Sequence, residues 1–192
     1  MQESDSDNRR TIFVIIGSAS SQSANHRLVT YLEALMKNDF RFHLFTELKS
    51  LPHFDPELSA NQPPEIIGAL RTSVETADAV LICTPEYVFS IPSGLKNAIE
   101  WCVATTVFSD KPLGIITASA HGQKAHEELQ WIMKTLMASF TEENTLLIQG
   151  IKGKIDTNGL IKDEKLVADL QQFANAMKLL CAEGVLPSTE QK

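Results

Sequence analysis

Five short apolar runs, each followed after a polar break by a longer amphipathic stretch, constrain this chain more than any other feature. The runs are residues 12–16, 42–45, 79–83, 113–117 and 145–148. A run of four or five apolar residues without alternation has no face to offer water, so each reads as a strand buried on both sides. The stretches between them carry apolar residues at helical spacing. They are Leu28, Leu32, Leu35 and Met36; Ile66, Ile67, Leu70 and Val74; Leu95, Ala98, Ile99, Cys102 and Val103; Leu129, Ile132, Met133, Leu136 and Met137; and Leu166, Leu170, Phe173, Ala174, Met177 and Cys181. Each set falls on one helix face. Strict alternation of buried strands and amphipathic helices predicts a parallel sheet covered on both faces.

Right-handed crossovers leave few ways to order five such strands. The simplest is 2-1-3-4-5, which makes the expected fold class α/β, a flavodoxin-like three-layer sandwich. The polar, acidic stretch 1–10 reads as a tail lacking the apolar segment of a signal peptide, and 11–192 as one domain. Residues 150–163, with three glycines among charges, read as a mobile hairpin or surface loop before the last helix. Trp101 falls off the apolar stripe of its helix and reads as an interface residue.

A net charge of -7 disfavours nucleic acid or an anionic membrane as partner. No apolar stretch approaches the roughly 18 residues that a membrane span needs. Cys83, Cys102 and Cys181 lie in no metal-type spacing, so no metal site is expected, and a reducing, cytoplasmic setting fits better than a disulfide framework.

In a sheet of this order a ligand binds beyond the carboxyl ends of the strands, near the reversal of strand order. Three loops lie on that edge. The first, after Gly17, holds Ser18, Ser20, Ser21, Ser23 and Asn25 ahead of a helix. Hydroxyls and helix N–H groups together can seat a phosphate monoester, with His26 or Arg27 as a supplement. The same residues also read as a serine loop whose Ser23 only caps the helix. The second loop, Thr84-Pro85-Glu86-Tyr87-Val88-Phe89-Ser90-Ile91-Pro92, suits a flat aromatic ligand with polar edges. Pro85 and Tyr87 would shape the ring's edge, and backbone groups from Glu86 through Val88 to Ser90 would bond its polar side. Glu86 itself reads more readily as an exposed or interface ion pair, and Phe89 equally as cover for the core or a subunit partner. The third loop offers Ser119, His121 and Gly122. There His121 could polarise an acceptor, although a loop histidine before a helix is more often solvated. Together the loops suggest a flavin mononucleotide (FMN) site.

Other chemistries lack their residues. There is no Gly-x-Gly-x-x-Gly, no Gly-x-x-x-x-Gly-Lys and no His-Glu-x-x-His. Cys83 has no arginine at phosphatase spacing, and Gly-Ser stands where a receiver domain carries aspartates.

Gly17-Ser18 with Ser23, Asn25 and Leu28, then Thr84-Pro85-Glu86-Tyr87, and Ser90-x-Pro92-x-x-Leu95-Lys96-Asn97-Ala98-Ile99-Glu100-Trp101 resemble the NADPH-dependent FMN reductase family. Leu51-Pro52-x-Phe54-Asp55-x-Glu57-Leu58 is similar to that family's loop after the second strand. The resemblance implies a homodimer or homotetramer with one FMN per subunit and either NADPH or NADH as reductant. It also implies a small-molecule electron acceptor: a quinone, azo compound, flavin or metal ion. Ser18, Ser23 and Asn25 would serve the phosphate, and Pro85, Glu86 and Tyr87 would lie along the ring. Ser20 stands where the family usually has arginine, and Val88 where it often has asparagine. Ping-pong turnover is expected with no side chain required as acid or base, so the catalytic set is left empty. The rivals are a flavodoxin-like electron carrier and a flavin-binding regulator.

Overall fold

The computed structural model describes residues 9–183 apart from 19, 21 and 157. Five parallel strands form one sheet: β1 (Arg10–Ile16), β2 (Phe40–Phe45), β3 (Ala79–Thr84), β4 (Leu113–Ser119) and β5 (Thr145–Gln149). Their order is β2-β1-β3-β4-β5, as the apolar runs predict. The period-2 geometry of a strand divides β1 between two cores. Ile12, Val14 and Ile16 face one layer while Phe13 and Ile15 face the other.

The first layer is built by α1 (Ala24–Met36), the short α6 (Ile151–Lys154) and α7 (Glu164–Glu183). The opposite layer is built by α3 (Glu65–Thr76), α4 (Ser93–Glu100) and α5 (Gln123–Thr135), with α2 (Pro56–Asn61) beside it. The α7 residues read from the sequence as an apolar face, Leu166 through Cys181, are all buried against the sheet. Among the described residues no helix is long and apolar enough to cross a membrane.

Four details differ from the sequence reading. β1 begins at Arg10, inside the stretch read as a tail, and residues 1–8 lie outside the described residues. In residues 150–163 the hairpin is present, as an isolated antiparallel bridge between Ile155 and Ile161, but α6 precedes it and Ile151 and Ile155 lie in the core. Two isoleucines within a polar segment are enough to anchor it. Trp101 is fully buried, contrary to the interface reading. Its indole N–H donates to the Pro52 carbonyl at 2.9 Å, and its ring meets Phe54 edge-on at 5.5 Å. Val103 and Met137, read as core, are exposed. These last three have one cause. α4 ends at Glu100 and α5 at Thr135, so a helical wheel no longer describes the residues beyond those ends.

Candidate flavin site

The loops after β1, β3 and β4 meet at the carboxyl edge of the sheet, where β1 and β3 part toward opposite ends of the strand order. Two buried threonines underlie them. Thr84 and Thr117 are register partners at the ends of β3 and β4, and neither is exposed. Gly17 lies against the first: a Cβ there would meet Thr84 Oγ1 at 2.3 Å, so only glycine lets the serine loop leave the sheet at this height.

The serine loop is held largely by its own hydroxyls. Ser18 is buried, and its Oγ accepts from Ser20 N at 3.3 Å. Exposed Ser20 in turn accepts from Gln22 N at 3.4 Å. Ser23 caps α1, its Oγ accepting from His26 N at 3.3 Å and lying 3.0 Å from His26 Nδ1. Ser21 lies outside the described residues. Arg27 donates from Nη1 to Gln22 O at 2.8 Å, while its Nε is buried without a hydrogen-bond partner among the described residues. Burial pushes His26 below the ordinary histidine value, against an opposing hydrogen bond with the Ser20 backbone. Asn25 behaves differently from the serines. Its Nδ2 donates to Ala118 O at 3.2 Å and its Oδ1 accepts from Cys83 Sγ at 3.3 Å, so its side chain ties the loop to both central strands.

The second loop is a two-residue hairpin. Tyr87 and Ser90 exchange backbone hydrogen bonds of 2.9 and 3.1 Å, and Val88 and Phe89 take positive φ of 52° and 59°. Type I′ turns demand positive φ at both central positions and favour Asn-Gly there. A β-branched residue in that conformation is strained. Both tip residues project into solvent, Val88 at 94% and Phe89 at 74% exposure, with Tyr87 half exposed beside them and Pro85 buried below.

Glu86 corrects the ion-pair reading, because its partners are backbone amides. Oε1 accepts from Gly122 N at 3.1 Å and Oε2 from Ala125 N at 3.0 Å, capping α5 from another loop. Its partial burial would raise the carboxyl pKa. Backbone N–H groups of Ala125, Gly122 and Lys124, with the charge of His121, outweigh that and hold it below the usual range. Ser119 Oγ reaches Glu86 O at 3.5 Å, His121 is exposed, and Gly122 has a φ of 86° that favours glycine.

Sequence reasoning missed three residues here. Glu128 Oε2 accepts from Ser90 Oγ at 2.7 Å and Ile91 N at 3.0 Å. His126 Nδ1 lies 3.0 Å from Thr117 Oγ1, and burial pushes its pKa down despite the neighbouring Glu127. Thr117 itself was read only as a strand residue. An acid and a histidine on an amphipathic helix read by default as solvated, so only the fold reveals these contacts. Asn97 and Trp101, in the longest motif, do not belong to the loops. Asn97 accepts from Phe54 N at 2.8 Å and, like Trp101, donates to Pro52 O, so both hold the segment after β2.

The donor set suits FMN. A phosphate would meet neutral hydroxyls, helix N–H groups and the half-buried guanidinium of Arg27, with no carboxylate in the sequence of the serine loop. The hairpin after β3 and the loop after β4 stand on the same edge of the sheet.

Comparison with known proteins agrees. The model of the family described as NADPH-dependent FMN reductase matches residues 10–152. A 2-hydroxy-1,4-benzoquinone reductase from Burkholderia sp. is 32% identical over 168 residues, 84% of this chain and 91% of that protein. The NADH:(hydroxy)cinnamate reductase subunit CrdA of Vibrio ruber is 30% identical over 166 residues, 83% of this chain and 81% of its own. Among solved structures, the flavoenzyme NAD(P)H:(acceptor) oxidoreductase FerB from Paracoccus denitrificans superposes with a TM-score of 0.78 at 30% identity, covering 92% of this chain and all of that one. With its sheet order, its three loops and these matches, this chain belongs to the NADPH-dependent FMN reductase family.

Proposed function

We propose that the protein is an FMN-dependent NAD(P)H oxidoreductase with ping-pong turnover whose second substrate is a small electron acceptor, a quinone before an azo compound, flavin or metal ion. The observation that carries this reading is the meeting of a hydroxyl-rich helix start with two ring-sized loops on one sheet edge, in a chain of this family. FMN, when bound, supplies the hydride chemistry between nicotinamide and acceptor.

The chain's own residues seat and orient. Ser18, Ser20 and Ser23 offer hydroxyls to the phosphate, the first turn of α1 offers N–H groups that include Asn25 N, and Arg27 offers charge. Pro85, Tyr87 and the backbone from Val88 to Ser90 line one side of the ring. Ser119, His121 and Gly122 line the other, with no aromatic side chain in that loop to cover the face that a nicotinamide must reach. The quinone preference draws on the benzoquinone reductase relative.

Association into a homodimer or homotetramer is supported by large apolar side chains left in solvent, among them Val88, Phe89 and Trp131. Three free, buried cysteines support a reducing cytoplasm. A second reading, an electron-passing subunit serving another protein, is favoured by one relative's being named a reductase subunit.

The test is the anaerobic visible spectrum of FMN-loaded protein before and after NADPH or NADH. Rapid bleaching by either, restored by benzoquinone, supports the oxidoreductase. Bound flavin that stays yellow with both overturns it in favour of a carrier or sensor.

A further inference from the structure

The hairpin after β3 is fastened to α5 at both ends by carboxylates that point in opposite directions. Where the chain enters the turn, Glu86 reaches across to Gly122 N and Ala125 N. Where it leaves, Glu128 reaches back from α5 to Ser90 Oγ and Ile91 N. Between these points lie Val88 and Phe89, both at positive φ and both projecting into solvent. Packing cannot hold a tip that touches so little. A strained conformation persists only where its surroundings over-determine it, and here the fastened ends supply that constraint.

We propose that Glu128, together with Glu86, is a positioning residue of the flavin site: a two-point clasp that holds the strained turn, residues 87–90, in its ligand-ready shape before FMN arrives. The inference rests on the reading of these loops as the flavin site. Neither carboxylate need touch the ligand. Glu86 acts through two backbone amides, and Glu128 through one amide and the Ser90 hydroxyl, so Glu86 is better described as positioning the site than as binding the cofactor.

The two carboxylates do unlike work, and this makes the proposal testable. Glu128 uses one oxygen, Oε2, for both of its contacts. Glutamine can put its carbonyl oxygen there and keep both, so Glu128→Gln preserves the clasp while Glu128→Ala removes it. Glu86 uses both oxygens, one for each amide. Glutamine at 86 must turn its NH2 toward an N–H donor, so Glu86→Gln is disruptive despite its matching size.

The experiment combines amide hydrogen exchange at Tyr87 and Ser90 in the FMN-free protein with FMN titration by flavin fluorescence. E128A and E86Q are expected to speed exchange at those two amides and weaken FMN binding by about tenfold, the worth of one charged hydrogen bond. E128Q is expected to stay within about twofold of the parent, since its hydrogen-bond count is unchanged. Adding V88N/F89G to E128A, which removes the strain, is expected to restore most of the lost affinity through coupling in the double-mutant cycle. The proposal is overturned if E128A leaves both readouts at parent values, if E128Q is as damaging as E128A, or if V88N/F89G gives no rescue. Exchange is read without FMN. A parent protein that fails to bind FMN would therefore refute the flavin reading while leaving the clasp itself decided.

Discussion

The serine loop and the hairpin stand side by side on one sheet edge and are held in opposite ways. The serine loop is secured over short sequence distances: Ser18 to Ser20, Ser20 to Gln22 and Ser23 to His26. Among the described residues its long-range ties run through Gly17 N, bonded to Cys83 O, and through Asn25. The hairpin is secured by carboxylate hydrogen bonds that span 36 to 39 residues of chain, and its two central residues oppose the conformation they occupy. One loop is specified by its own composition, the other by the fold around it. Substitutions should therefore act locally and modestly in the first, except at its exit from the sheet, and should reveal stored strain in the second.

The largest expected effect is at that exit. Gly17→Ala sets a Cβ within 2.8 Å of Thr84 Cβ as well as against its hydroxyl, in the closed floor of the site. A loss of about 2–3 kcal/mol in unfolding free energy is expected from urea titration, in the range of core overpacking. A loss under about 0.5 kcal/mol would show that the loop exit can shift.

The next effect has the opposite sign. V88N/F89G gives the hairpin residues that accept positive φ, and should stabilise the protein by about 1–2 kcal/mol, part of the strain two such residues store. The same titration checks it. A destabilised double variant would mean that the tip gains more from its apolar side chains, as in a subunit contact, than it loses in backbone strain.

Ser23→Ala removes the α1 cap and should cost about 1 kcal/mol, with FMN affinity falling alongside. Thermal melts with and without FMN separate the two: a variant whose FMN-induced shift equals the parent's would confine Ser23 to capping.

The smallest effect is in pH, and it orders the two loops. Burial holds His26 and His126 below their ordinary 6.5, so the stability tied to their neutral forms is complete above that value and is lost as pH falls through the lowered ones. Glu86 is held below its ordinary 4.5, so its share is complete above 4.5 and is lost only further down. Urea midpoints taken from pH 7.5 downward should first decline below about 6.5, and H26N/H126N should flatten that first decline without altering the one below about 4.5. A parent protein whose midpoint holds steady to pH 5 would refute the histidine assignment.

The comparison also explains what could be read in the sequence. Strand runs and helix stripes are local, so sheet order and most core positions were legible, and so was the serine loop. The hairpin was seen only as a loop, because Val-Phe is an improbable pair for the turn it makes and conceals it. Glu86 could be placed at the site but not given its partners, and Glu128 looked like any solvated acid, because pairing across so many residues leaves no periodic trace. Trp101 shows the limit of a helical wheel: it reads as an interface residue and is buried just past the end of α4. Trp131, off the apolar stripe of α5, is 74% exposed, as the wheel places it.

Asn25 turns the site into a gauge of length. With its amide fixed to the Ala118 carbonyl and the Cys83 thiol, the serine loop cannot slide along the sheet independently of the strands that carry the other two loops. On the proposed assignment, the span from phosphate seat to ring seat would thereby belong to the rigid centre of the molecule. A flavin lacking the phosphate would then engage only one end of that span, and ligands would be sorted by reach as well as by contact.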